Sequence, residues 1–163
     1  MRSRTYRLLG LRGPSRSLSP VLGGAQAYEI GSATTPGQVI DDPNNSTANN
    51  AQLITWDRKN GTNQRWILTA NADGTYAVKN KLSGKCLDIR GASTDVGAAV
   101  IQYSCAPTKP NQKFDLTPAG NNAYKLVARS SGLAVTPSGS VKGSVLTQQP
   151  VATGQAWTLV RTN

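Results

Sequence analysis

The chain has 163 residues, 37% of them hydrophobic, and 18 Lys and Arg against 8 Asp and Glu, for a net charge of +10. That length allows one domain with a real core. With no His, the commonest general base and metal ligand is missing, two Cys cannot form a four-thiolate metal site, and no apolar run approaches the ~18 residues of a membrane span.

Residues 1–27 carry Arg2, Arg4, Arg7, Arg12 and Arg16 and no acid, leaving 13 basic side chains against 8 acids in the rest. The segment is rich in Arg, Ser, Gly and Pro and has no period. It has the basic start of a secretory signal, and Ala25-Gln26-Ala27 would serve as a cleavage site. Its apolar stretch, Leu8-Leu9-Gly10-Leu11, is cut short by Arg12, so no signal peptide is convincing. We read 1–27 as a basic, disordered leader; a polybasic arm docking on something acidic is the alternative. After residue 27 the basic side chains are scattered singly, which describes a solvated surface rather than a nucleic-acid site.

From Tyr28 onward the chain repeats itself. Asn63-Gln64-Arg65-Trp66, Asn111-Gln112-Lys113-Phe114 and Gly154-Gln155-Ala156-Trp157 share a Gln two residues before an aromatic. Tyr28, Tyr76 and Tyr124 keep the same beat. Self-similarity at a fixed period decides architecture. The copies run over about 28–70, 71–118 and 119–163. Copies one and two align over a long span: Gly37 with Gly84, Asp41 with Asp88, Ser46 with Ser93 and Trp56 with Tyr103. The third copy is shorter. Around Asp88 it offers Ala134 or Val135, and at Tyr103 it offers Gln149.

Each copy reads as four short strands, in copy two Tyr76–Asn80, Lys85–Ile89, Ala99–Ser104 and Gln112–Thr117, bounded by Gly, Asn, Ser and Pro. No sustained 3.6-residue stripe appears, so almost no helix is expected. Asn71-Ala72-Asp73-Gly74 and Gly120-Asn121-Asn122 supply turns that tolerate positive φ. One such unit cannot bury its apolar face alone, so three must share a core centred on Trp66, Phe114 and Trp157. The Gln side chains two residues earlier can bond neighbouring backbone and fix the turns. Cys86 and Cys105 lie in one copy. Paired, they close a loop of about 20 residues worth on the order of 3 kcal/mol in the chain-entropy model, and imply an oxidising compartment; unpaired, they are two buried thiols.

These residues carry a family likeness. The three Gln-x-aromatic motifs, GKCLDI at 84–89, a second Cys at 105 and STANNAQLITWDRKNGTNQRW at 46–66 resemble the ricin B-chain type lectins, which include carbohydrate-binding modules of secreted bacterial glycoside hydrolases. The likeness covers 28–163. It implies an all-β fold, a β-trefoil with pseudo-threefold symmetry, and a secreted protein. It also implies one shallow sugar pocket per copy, made of an Asp, an aromatic on the third strand, and the Asn-Gln of the motif. Copy two matches with Asp88, Tyr103, Asn111 and Gln112, and copy one with Asp41, Trp56, Asn63 and Gln64. Copy three lacks the Asp and the aromatic and has Gly154 for the Asn, so its pocket is expected to be dead.

Such residues suit a sugar. An ionised Asp accepts hydroxyl hydrogens strongly, Asn both donates and accepts, and an aromatic lies against the C–H face. The expected function is non-catalytic binding of neutral sugars or plant-type polysaccharide, of galactose, xylan or arabinan type. No cofactor, metal or nucleic acid is expected, and the protein is read as a monomer or as part of an enzyme. Glycoside hydrolysis needs two carboxyls at a set separation. The one adjacent pair, Asp41-Asp42, would point to opposite faces of a strand. A trefoil that binds protein and no sugar is the remaining alternative.

Overall fold

The computed structural model describes residues 26–162. The expectations for the basic leader fall almost wholly on residues 1–25, outside the described residues. Thirteen strands are joined by turns and by short 3-10 turns, and the described residues contain no α-helix. The strands are β1 (Ala27–Ser32), β2 (Gln38–Asp41), β3 (Ala51–Gln52), β4 (Ile54–Asp57), β5 (Trp66–Ala70), β6 (Tyr76–Asn80) and β7 (Cys86–Ile89). They continue with β8 (Val100–Tyr103), β9 (Phe114–Pro118), β10 (Ala123–Ala128), β11 (Ala134–Pro137), β12 (Leu146–Gln149) and β13 (Trp157–Thr162).

Six of them close a barrel. β1 pairs with β5, β5 with β6, β6 with β9, β9 with β10, β10 with β13, and β13 returns to β1, all antiparallel. Closure leaves no free edge in this layer. Six of the other seven form three hairpins over one end, β2 with β4, β7 with β8, and β11 with β12, and the two-residue β3 pairs with β8. The fold is a β-trefoil. The threefold repeat shows directly in the register, where Tyr28 faces Trp66, Tyr76 faces Phe114 and Tyr124 faces Trp157. Trp66, Phe114 and Trp157 are completely buried in a single cluster with Ile40, Leu87 and Val135. Each indole keeps its N–H satisfied, Trp66 Nε1 donating to the Ile40 carbonyl (3.1 Å) and Trp157 Nε1 to that of Val135 (3.0 Å).

Side-chain amides stitch the repeats together. Gln52 Nε2 lies within 2.8–3.0 Å of the Leu53, Val100 and Leu146 carbonyls, one equivalent residue from each repeat. It therefore sits on the pseudo-threefold axis. Gln102 Nε2 donates to Ser46 and Ala48 of the first repeat, and its equivalent Gln148 donates to Ser93 and Asp95 of the second. These bonds run between repeats, so no repeat completes its polar network alone.

The expected strand Gln112–Thr117 starts later, at Phe114, because Asn111 and Gln112 belong to a 3-10 turn, Pro110–Gln112. The Gln side chain makes loop contacts that a strand residue could not. Cys86 and Cys105 form a disulfide.

Candidate functional site: two clefts beside the hairpins

The first cleft, about 390 Å³, is lined by Asp41, Trp56 and Asn63 together with Lys59 and the Pro43–Asn45 turn. The second, about 800 Å³, is lined by Asp88, Tyr103, Asn111 and Gln112, with Arg90, Lys109 and Asn50 on its rim. The strand register explains the assembly. Asp41 is opposite Ile54 and Asp88 opposite Ile101. Trp56 and Tyr103 are each two residues further along, so ring and carboxylate share a face.

The motif amides hold the acids from behind. Gln64 Nε2 donates to Asp41 Oδ2 (2.7 Å) and to the Asp57 carbonyl, while its Oε1 accepts from Lys59 N. Gln112 repeats this with Asp88 Oδ2 (2.8 Å), the Ser104 carbonyl and Ala106 N. Three bonds from one side chain fix the loop and aim the carboxylate together. Asn63 Nδ2 reaches Asp41 Oδ2 (3.3 Å) and the Asp42 carbonyl, and Asn111 Nδ2 reaches Asp88 Oδ1 (3.2 Å) and the Ile89 carbonyl. The expected Gln-to-backbone bonds are therefore present. Gln64, however, lies behind its cleft rather than in its lining.

Burial raises the pKa of both Asp41 and Asp88, and the Gln and Asn donors, with Lys59 or Lys109 nearby, act against that rise. The rings differ more. Tyr103 is 41% exposed. Trp56 is half-buried, with Lys59 Nζ 5.3 Å and Lys142 Nζ 5.4 Å from its ring centroid.

The third repeat requires a correction. Neither Ala134 nor Val135 stands at the aspartate position. Thr136 faces Thr147 as Asp88 faces Ile101, and Val135 accepts the Trp157 indole as Ile40 accepts that of Trp66. Thr136 Oγ1 donates to the Ala134 carbonyl and accepts from Gln155 N (3.2 Å). Gln149 stands where the ring would be, as expected. Gly154 packs so closely that an added Cβ would lie 2.7 Å from Ala134 Cβ, which leaves no room for the Asn of the other two copies. Gln155 Nε2 turns to its neighbour's carbonyl, at Ala156.

Sequence reasoning passed over Arg90, Lys109, Lys59 and Asn50. As isolated polar residues they carry no period, and only the fold brings them to the clefts.

With this geometry in place, the comparison with known proteins is decisive. The family described as ricin-type beta-trefoil lectin domain-like matches residues 20–103 and 71–149. The chain belongs to that family. Among solved structures it is similar to ThreeFoil, a designed threefold-symmetric protein, with 37% identity and a TM-score of 0.78 over 82% of this chain and 97% of that one. It is also similar to 1,3Gal43A, an exo-beta-1,3-galactanase from Clostridium thermocellum, with 27% identity and a TM-score of 0.80. There the match takes in 86% of this chain but only 31% of the galactanase. A ricin B-like lectin from Macrolepiota procera, solved with lactose, has the same fold at 19% identity and a TM-score of 0.72, over 86% of this chain and 98% of that one. No curated protein sequence matches the chain. Fold and family together support carbohydrate binding as the general function. No helix among the described residues is long and apolar enough to cross a membrane.

Proposed function

We propose that the chain is a secreted, non-catalytic carbohydrate-binding domain that uses the two clefts as sugar sites and leaves the third repeat silent. The observation that carries this reading is the recurrence, in both clefts, of a carboxylate held by two amides beside a ring on the same face. Asp41 and Asp88 accept sugar hydroxyls, and Asn63 and Asn111 extend the polar edge. Trp56 and Tyr103 cover the C–H face of a galactose-, xylan- or arabinan-type residue. The clefts are shallow and the contacts few, so each site binds weakly, at ~0.1–1 mM. Two sites on one rigid body gain avidity on a polymer. The disulfide and the family favour an extracellular location.

Calorimetric titration with galacto-, xylo- and arabino-oligosaccharides tests the reading. Asp88→Ala should remove the second-cleft contribution, Asp41→Ala the first, and the double variant all binding, with unfolding transitions still cooperative. A double variant that binds as well as the parent would sink the proposal and leave a protein-binding trefoil in its place.

The match to under a third of a galactanase favours a related reading of context, in which the domain targets a longer glycoside hydrolase to its polymer. A monomeric domain appended to an enzyme fits both.

A further inference from the structure

We propose that the second cleft selects saccharides bearing an anionic group, a uronate carboxylate or a sulfate ester, while the first takes neutral ones. This inference rests on the carbohydrate-binding reading above and adds the ligand class to it. It starts from the charges at the two rims. The second cleft is lined by Asp88 and by two cations, Arg90 and Lys109. The first is lined by Asp41 and one cation, Lys59. Lys142, near Trp56, is already paired with Asp57 at 3.0 Å.

Neither cation of the second cleft is held in an ion pair, although the charge of Lys109 acts on Asp88. The ion pairs among the described residues join Arg58 to Glu29, Lys113 to Asp73, Arg129 to Asp115 and Lys142 to Asp57. Neither Arg90 nor Lys109 takes part. Arg90 Nη2 makes one long bond, 3.3 Å, to the Asn50 carbonyl, which holds the guanidinium over the rim with its other donors free. Both side chains are exposed, so their ammonium and guanidinium groups are hydrated and ready to exchange water for a ligand. The equivalent positions in the first repeat are Pro43 and Gly61. Neither can carry a charge, and an added Cβ at Gly61 would lie 2.6 Å from Asn63 Oδ1. The first cleft is therefore built without these cations.

The chemistry follows. Asp88, Asn111 and Tyr103 engage the sugar ring, and the two cations meet a charged substituent projecting toward the rim. Arg presents a planar fork that matches two oxygens of a carboxylate or sulfate, while Lys acts as a point charge. A neutral sugar can accept hydrogen bonds from either but gains no charge–charge attraction.

The test uses the full chain with Asp41→Ala to silence the first cleft. The probes are oligogalacturonate, a sulfated galactan oligosaccharide and a neutral galactan oligosaccharide of equal length. The Arg-rich residues before 27 are common to every variant, so only differences between variants are read. Arg90→Ala with Lys109→Ala should lower the ratio of anionic to neutral affinity by roughly five- to tenfold, since exposed charge pairs contribute modestly each. Raising the salt to ~0.5 M should shrink the same ratio. Loss on the uronate arm or on the sulfate arm supports the proposal and identifies the group. A ratio unmoved by the two substitutions overturns it. So does a second cleft that holds neutral sugar through Asp88 with no anionic preference, which leaves carbohydrate binding intact. Binding to none of the three probes also overturns the proposal, and binding that survives Asp88→Ala overturns the underlying reading of the second cleft as well.

Discussion

Asp42 and Ile89 occupy the same place in the first two repeats, directly after the cleft aspartate, and both are completely buried. Ile89 belongs to the core cluster. Asp42 brings a carboxyl to that place, and neither of its oxygens has a hydrogen-bond partner. Burial first, then the neighbouring charge of Asp41, pushes its pKa up to about 7. The Gln102 amide opposes the rise, but its hydrogens are already given to Ser46 and Ala48. The contrast teaches that two clefts built on the same acid, amide and ring positions need not share a foundation. The second stands on packed hydrocarbon and a disulfide, and the first on an acid whose protonation changes near neutrality.

The largest expected effect breaks this contrast from the Asp42 side. The folded-state pKa is raised from 3.8 to about 7, so the folded state holds the proton more tightly than the unfolded chain. Stability is then full below about pH 4 and is lost as pH rises toward 7. At pH 8 the loss from this group is on the order of 2–4 kcal/mol. Asp42→Asn should restore most of it and flatten the dependence of unfolding free energy on pH between 4 and 8. A parent protein equally stable at pH 4.5 and pH 8 would remove Asp42 as the weak point of the first repeat.

The second effect acts on the other cleft. The disulfide joins Cys86 in β7 to Cys105, across a sequence separation of 19, and Cys105 itself lines the second cleft. Cys86 also faces Tyr103 in the register. Reduction should remove about 3 kcal/mol by the loop-closure estimate. It should also loosen Tyr103 and the loop carrying Lys109 while leaving the first cleft intact. Titration of Asp41→Ala and Asp88→Ala chains with and without reductant separates the two. Equal loss at both clefts on reduction would show that the bridge serves the whole fold.

Much of this was legible in the sequence because repetition carries information. The Gln-x-aromatic motifs and the Tyr markers point to three copies of short strands around the core aromatics, and the resemblance to the ricin B-chain type lectins implies the trefoil and the Asp-plus-ring sets. What was not legible was what does not repeat. Gln52 holds the axis, but its equivalents are Ala99 and Val145, so nothing marks it. Arg90 and Lys109 replace Pro43 and Gly61 and look like scattered surface charge. Thr136 was missed because the third hairpin is shorter: Thr136 and Thr147 are partners, as are Asp88 and Ile101, with two fewer residues between them. The anchor that corrects the alignment is a hydrogen bond from Trp157 to Val135, which a sequence does not display.

The smallest effect sharpens the comparison between the rings. Trp66 and Trp157 are completely buried, and Trp56 alone among the three tryptophans lines a cleft. The ring of the second cleft is a tyrosine. A ligand-induced change in tryptophan emission therefore reports the first cleft and is silent to the second. Lys142 lies 5.4 Å from the Trp56 centroid and is itself held by Asp57 at 3.0 Å. An exposed cation–π contact contributes about 0.5–1 kcal/mol, and the exposed ion pair adds little. Lys142→Ala should thus cost the fold under ~1 kcal/mol while uncovering one face of the ring. It should shift Trp56 emission and change first-cleft affinity by less than about fivefold. Asp57→Ala releases the lysine without removing it and should move the emission in the same sense by a smaller amount. If both variants leave emission and titration unchanged, the lysines merely cross the ring's edge, and the first cleft presents its aromatic as openly as the second.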